Sequence, residues 1–281
     1  MTTRPPPRIL TIAGSDSSGG AGIQADIKTI TMLGGYAMSA ITTVTAQNSV
    51  GVQAIAPMSA EMVALQIEAC VSDIGVDAIK LGMLHDEEII AAVADALACV
   101  NTNVPVILDP VMVASSGAVL IADEAIEVLR ERLFARASLI TPNLPELEHL
   151  HRRTLRDTAL VEAAARALVE DYGCAVLAKG GHTKEGGAPG GKVLDILVTP
   201  PREGEESVRR FQHSRIDTPH THGTGCTLSA AIATLMGHGQ PLEHAVRLGR
   251  GFVRQAILAA PGFGAGNGPL GHQAVRKLSG E

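Results

Sequence analysis

Val104-Pro-Val-Ile-Leu-Asp-Pro110 decides the fold. The apolar run Val104–Leu108 is too short for a helix, and it stops on a carboxylate and a proline, as a buried strand does. A helix at Asp123–Leu133 follows, then a second apolar run at Ala137–Thr141 and a short helix at Leu144–Leu150. A helix at Thr158–Asp171 leads into a third run at Cys174–Ala178. Strands that alternate with helices imply a parallel sheet covered on both faces.

The same alternation extends toward the N-terminus. Arg8–Ala13 reads as a buried strand that opens into Gly14-Ser-Asp-Ser-Ser-Gly-Gly-Ala-Gly22. A helix at Ile23–Leu33 follows, with Ile23, Ile27 and Ile30 on one face. Tyr36–Val44 and Val50–Ala56 look extended, Ala60–Val71 is an amphipathic helix, and Ala78–Leu81 is a strand. A helix at Glu87–Val100 is stopped by Asn101 and Asn103. Toward the C-terminus, Gly186–Gly191 is flexible, and Val193–Thr199 pairs antiparallel with Val208–Ile216 across Pro201–Ser207. Helices at Thr224–Met236 and Leu242–Leu258 are separated by Gln240-Pro241. Without a linker or repeat, residues 1–281 read as a single domain with a flexible, Pro-rich arm at 1–7.

Composition excludes several classes. Of the 281 residues 46% are hydrophobic, enough for a sizeable core, but Trp is absent and aromatics make up 2%, which argues against base-stacking surfaces. The net charge is −6 without a basic block, so no face suits nucleic acid, and any phosphate affinity must be local. Cys70, Cys99, Cys174 and Cys226 are widely spaced, a pattern of reduced thiols rather than a disulfide framework or zinc site. The first three are expected in the core. Neither a signal core nor a membrane-length run is found, so a cytoplasmic protein with no membrane partner is expected.

In such sheets ligands bind at the carboxyl ends of the strands. Gly14–Gly22, Asp109, Asn143 with Glu146, Lys179-Gly-Gly-His182 and the loop around Cys226 all follow strands, so they gather at one end. The last of these, Thr221-His-Gly-Thr-Gly-Cys-Thr227, delivers the first turn of a helix. N–H groups there lack internal partners and carry the positive end of the macrodipole. Gly223 and Gly225 leave them open to a phosphate, and Cys226 sits where the same field favours thiolate. Carboxylates, a lysine and an anion hole at one edge are the parts that phosphoryl transfer requires.

Taken singly, each part also has a structural reading. Gly14–Gly22 is neither G-x-G-x-x-G nor a P-loop and could be a simple turn. Asp109-Pro110 could initiate a turn, Glu146 could be a helix N-terminal charge, and Lys179 could lie on the surface. His220-x-His222 is weak evidence for zinc. Arg247, Arg250 and Arg254 read as a solvated helix face, and Ser15, Ser17 and Ser18 lack the partners of a hydrolase triad.

Gly14–Asp26, Thr45-Ala-Gln-Asn48, Lys80-Leu-Gly-Met83, Asp109-Pro-Val-Met112, Thr141–Glu146, Lys179–His182 and His222–Thr227 occur in that order. Together they resemble the hydroxymethylpyrimidine/phosphomethylpyrimidine kinases of thiamine biosynthesis, within the ribokinase-like superfamily. The resemblance runs from about Ile9 to His272. It implies a three-layer α/β/α fold with a mostly parallel central sheet and antiparallel edge strands. It also implies ATP and Mg²⁺, a monovalent cation as an optional third cofactor, and a homodimer. The reaction implied is phosphorylation of a small aminopyrimidine alcohol and then of the resulting phosphate ester.

By that resemblance Gln47 bonds the aminopyrimidine, and Gly14, Ala21, Asp26, Met83 and Val111 complete its pocket. Lys179, Asn143 and Thr221 serve ATP and its phosphates, Asp109 and Glu146 the metal, and Gly223, Thr224, Gly225 and Cys226 the anion hole and catalysis. The wider superfamily has an Asp base where this chain has Cys226, although this subfamily commonly has Cys, and a helix N-terminus could lower the thiol's pKa enough for it to serve as a base. The nearest rival is pyridoxal kinase, alone or as a dual specificity. A nucleotide-sensing protein without turnover is a remote one.

Overall fold

The computed structural model describes residues 5–112, 120–180, 191–201, 203–204 and 206–275. Nine strands form one sheet, in the order β3 (Val52–Pro57), β2 (Tyr36–Gln47), β1 (Arg8–Asp16), β4 (Ala78–Leu81), β5 (Val106–Leu108), β6 (Leu139–Ile140), β7 (Ala175–Ala178), β8 (Lys192–Val198) and β9 (Val208–Ser214). From β2 to β7 every neighbouring pair is parallel. β3 and β8 run antiparallel to this block, and β9 runs antiparallel to β8.

The alternation of side chains along β1 shows how two layers of helix are held. Leu10 and Ile12 turn toward α2 (Ala60–Ala69), α3 (Glu87–Ala98), α4 (Asp123–Leu129), α5 (Leu144–His151) and α6 (Thr158–Tyr172). Ile9 turns toward α1 (Gly22–Met32), α7 (Thr224–Gly237) and α8 (Leu242–Leu258). The result is the three-layer α/β/α arrangement, with a parallel centre and antiparallel flanks.

Local chemistry sets the helix ends. Ser59, Asp86 and Asp157 cap α2, α3 and α6 by accepting from the N–H three residues on. Gly173 ends α6 in the left-handed region at φ 68°. Two expected helices stop early: α2 and α4 each pass into a π-type turn, Cys70–Ile74 and Arg130–Phe134. β1 runs on to Asp16, three residues beyond the expected strand, so the glycine loop is shorter than its sequence suggests. Ile27 lies exposed on α1 while Ile23 and Ile30 are buried. Cys99 is exposed rather than core, because it falls just past the last turn of α3. The glycine run 186–191 lies outside the described residues except for Gly191.

The chain leaves β1 for β2 on one side and later returns to β4 on the other. That switch opens a crevice at the carboxyl ends of β1 and β4.

Candidate active site

Gly14 sits at the crevice, and a Cβ there would come within 2.5 Å of Thr43 Oγ1 and 2.7 Å of Met83 Cε. Only a glycine lets those side chains close the wall. Thr43 Oγ1 is buried without a partner among the described residues. Sequence reasoning missed it, because a strand Thr carries no motif.

Asp16, at the end of β1, organises the loop that follows. One of its oxygens takes Ser18 N–H and O–H; the other takes the N–H groups of Gly20 and Ala21 and lies 2.9 Å from His222 Nε2. Burial works against its charge, but the bonds from His222, Ser18 and Ala21 outweigh it and hold the carboxyl at about 2. Gln47, the last residue of β2, places its amide nitrogen 3.3 Å from the same His222 Nε2.

His222 immediately precedes Gly223, at the start of α7. Gly223 is the N-cap of α7 at φ 87°, and a Cβ on it would come within 1.9 Å of the Gly20 carbonyl oxygen. A Cβ on Gly20 would meet His222 Cδ2 at 2.4 Å. The two glycine loops therefore interlock, which brings Ala21 and Gly223 together. Thr224 and Gly225 follow in the first turn of α7, where N–H groups lack helical acceptors. Thr221 is exposed, and its carbonyl accepts from Thr224 N–H at 3.3 Å.

Lys179, beyond β7, donates to Asp109 Oδ1 at 2.7 Å and lies 4.0 Å from Glu146 Oε2. Thr141 donates to the same Asp109 oxygen at 3.0 Å. Burial alone would lower the Lys179 ammonium, but Asp109 and Glu146 hold it above its ordinary value. Lys179 is thus no surface lysine. Asn143 and Glu146 form a capping box on α5, each side chain bonded to the other's backbone N–H, at 2.9 and 2.7 Å. Burial pushes the Glu146 carboxyl above the usual range, Lys179 opposes this, and Asp109 adds to it. Glu146 is therefore both a helix-end charge and a member of the cluster.

A Cβ on Gly225 would lie 3.1 Å from Asp109 Oδ2 and 3.3 Å from Lys179 Nζ, so the α7 N-terminus abuts this pair. Val111 follows directly, its N–H bonded to the Asp109 carbonyl. No group of three or more His, Cys, Asp or Glu able to hold a metal occurs among the described residues. Two carboxylates suit Mg²⁺, which keeps waters and shares phosphate oxygens rather than filling an all-protein cage.

Two further residues named by the resemblance, Asp26 and Cys226, both lie near Lys80. Asp26 is fully buried, ion-paired with Lys80 at 2.8 Å and bonded by Thr11 at 2.6 Å. Cys226 gains no lowered pKa. Burial pushes its thiol up to about 11; Lys80 pulls the other way, while Asp26 and Asp109 add to the rise.

Arg250 is no part of a solvated face. It donates to Asp195 Oδ2 at 2.6 Å and lies over Phe211, while Asp195 Oδ1 takes the Gly180 N–H beside Lys179 at 2.8 Å. Two surface hollows, of about 350 and 440 Å³, lie elsewhere, one lined by Asp123, Glu127, Arg130 and Arg152 and the other by Thr158, Glu162, Arg166 and Arg210. No described helix is long and apolar enough to cross a membrane.

A family model described as phosphomethylpyrimidine kinase matches residues 16–271. The chain is 45% identical over 264 residues to a thiamine biosynthesis bifunctional protein of Geobacter sulfurreducens, covering 94% of this chain but 52% of that protein, about half its length. It is 41% identical to the hydroxymethylpyrimidine/phosphomethylpyrimidine kinase of Haemophilus influenzae, over 96% of this chain and 98% of the relative. A Bacillus subtilis pyridoxal kinase solved as an ADP complex superposes with a TM-score of 0.83 at 33% identity, covering 96% of this chain and 99% of that one. The fold is ribokinase-like and the chain is a kinase, belonging to the phosphomethylpyrimidine kinase family.

Proposed function

We propose that the chain transfers phosphate from ATP to 4-amino-5-hydroxymethyl-2-methylpyrimidine and then to the resulting monophosphate, in thiamine biosynthesis. One observation carries this reading. Gln47 and the anion-hole loop meet at His222, so a ring held by the amide stands beside the phosphate cradle. An amide offers both donor and acceptor to an aminopyrimidine edge, and Gly14, Ala21, Met83 and Val111 offer the ring apolar surface.

In this reading Lys179 and the N–H groups of Gly223–Cys226 hold the transferring phosphoryl group, with Asn143 and Thr221 at the nucleotide's phosphates. Asp109 and Glu146 would hold Mg²⁺, largely through water, and the ion would offset triphosphate charge. The loose transition state asks mainly for positioning and charge stabilisation. A thiol near 11 is protonated at neutral pH, so Cys226 acts by shaping the first turn of α7 rather than as a standing base.

The domain is read as one kinase unit over residues 1–281. The four free thiols support a cytoplasmic setting. Exposed Tyr36, Val44, Val50, Met62 and Leu65, on β2, the β2–β3 turn and α2, support a homodimer. Mass spectrometry of products from the pyrimidine alcohol and MgATP tests the reading: both mono- and diphosphate are expected, and absence of either overturns the two-step proposal.

A further inference from the structure

We propose that His222 is a positioning residue that fixes which way up the Gln47 amide lies, and with it the orientation of the substrate ring. The inference rests on the reading that Gln47 contacts that ring.

Asp16 is held ionised at the end of β1 and is an acceptor only. Its Oδ2 lies 2.9 Å from His222 Nε2, a distance that requires the proton on Nε2. The Gln47 amide nitrogen lies 3.3 Å from that same Nε2, donor against donor, if nitrogen faces the ring. On the amide's other side, Thr45 Oγ1 lies 3.2 Å from the oxygen position and 2.9 Å from the Ser15 carbonyl. A hydroxyl has one proton, and the Ser15 carbonyl can only accept it.

Turning the amide over resolves both conflicts. Its oxygen then accepts a share of the His222 Nε2–H, and its nitrogen donates to Thr45 Oγ1, which donates to Ser15. The shapes of the two ends are alike, so the hydrogen-bond network decides between them. The free lone pair of Gln47 then faces the His222 side, and its free N–H the Thr45 side. An aminopyrimidine matches that polarity with its amino group toward His222 and its ring nitrogen toward Thr45. Gly20, which no side chain could replace against the imidazole, keeps the ring in this place.

The test is a double-mutant cycle of wild type, Gln47→Met, His222→Leu and the double variant, with KM and kcat measured for the pyrimidine alcohol at saturating ATP. Each single change is expected to raise the pyrimidine KM by about tenfold or more, with the ATP KM unchanged. The double variant is expected to be no worse than Gln47→Met. His222→Gln, which still presents an N–H, is expected to stay within about threefold of wild type. If the effect of His222→Leu multiplies that of Gln47→Met, the positioning role is wrong and the pyrimidine reading stands. If Gln47→Met alone leaves KM unchanged, the pyrimidine reading fails instead. Should His222→Leu not fold, the ¹⁵N shifts of the His222 ring in the wild-type protein decide: a proton on Nε2 is expected, and a proton on Nδ1 alone overturns the proposal.

Discussion

Gly223 rests so close to the Gly20 carbonyl that a Cβ on it would come within 1.9 Å of the oxygen, at a φ of 87°. The loop that opens α7 and the loop after β1 are fitted together at this contact. Gly223→Ala should therefore cost about 2–4 kcal/mol from a left-handed φ and a backbone clash combined. Urea unfolding, together with phosphorylation assays on the fraction that folds, checks this; unchanged stability and rate would mean that the loops are not locked together.

Cys226 is expected to be a thiol at neutral pH, because burial holds it near 11. Peptide-resolved alkylation should be slow at pH 7 and still rising at pH 9, whereas exposed Cys99 reacts readily. Cys226→Ala should slow the two phosphorylations by similar factors. An alkylation plateau below pH 8, or a selective loss of about a hundredfold in the first step alone, would restore Cys226 as the base.

The Lys179–Asp109–Glu146 cluster should govern the metal requirement. Asp109→Asn takes a charge from the partner of Lys179 at 2.7 Å and should lower kcat by about ten- to a thousandfold while raising the Mg²⁺ concentration needed. Glu146→Gln should act in the same direction and also weaken the α5 capping box by about 1 kcal/mol. Wild-type Mg²⁺ titration curves for both variants would place the metal elsewhere.

His272 gives the fold an acid limit. Burial, with repulsion from Lys28, pushes the imidazole down to about 4, and its Nε2 sits 2.8 Å from buried Thr227 Oγ1 on α7. The folded pKa lies below the ordinary value near 6.5, so the unfolded chain takes up the proton first. Its contribution is therefore intact above about pH 6.5 and is lost as pH falls toward 4, by about 3 kcal/mol in all. Urea midpoints between pH 7.5 and 4.5 should fall for wild type and flatten in His272→Gln; parallel curves would contradict the assignment.

Much of this was legible in the chain because strands and helices follow local periodicity. Ala78–Leu81 and Leu242–Leu258 end where apolar pattern, Gly and Pro end them. The π-type turns after α2 and α4 have no such period. Arg250 reads as solvated in the sequence because helical spacing looks the same facing water or facing Asp195, which comes from a strand 55 residues away. His222 reads only as half of a His-x-His pair, since its partner Asp16 lies 206 residues distant in sequence. Asp26 keeps its place in the motif, but the sequence does not reveal that it is fully buried and paired with Lys80.

The central claim is that Gln47 selects an aminopyrimidine alcohol for phosphorylation. It is tested most directly by kcat/KM for hydroxymethylpyrimidine and for pyridoxal, measured on wild type and Gln47→Met. Wild type should favour the pyrimidine, and the variant should lose about ten- to a hundredfold on the pyrimidine alone. Turnover of pyridoxal in preference to the pyrimidine, or a variant with unchanged pyrimidine kcat/KM, would contradict the account.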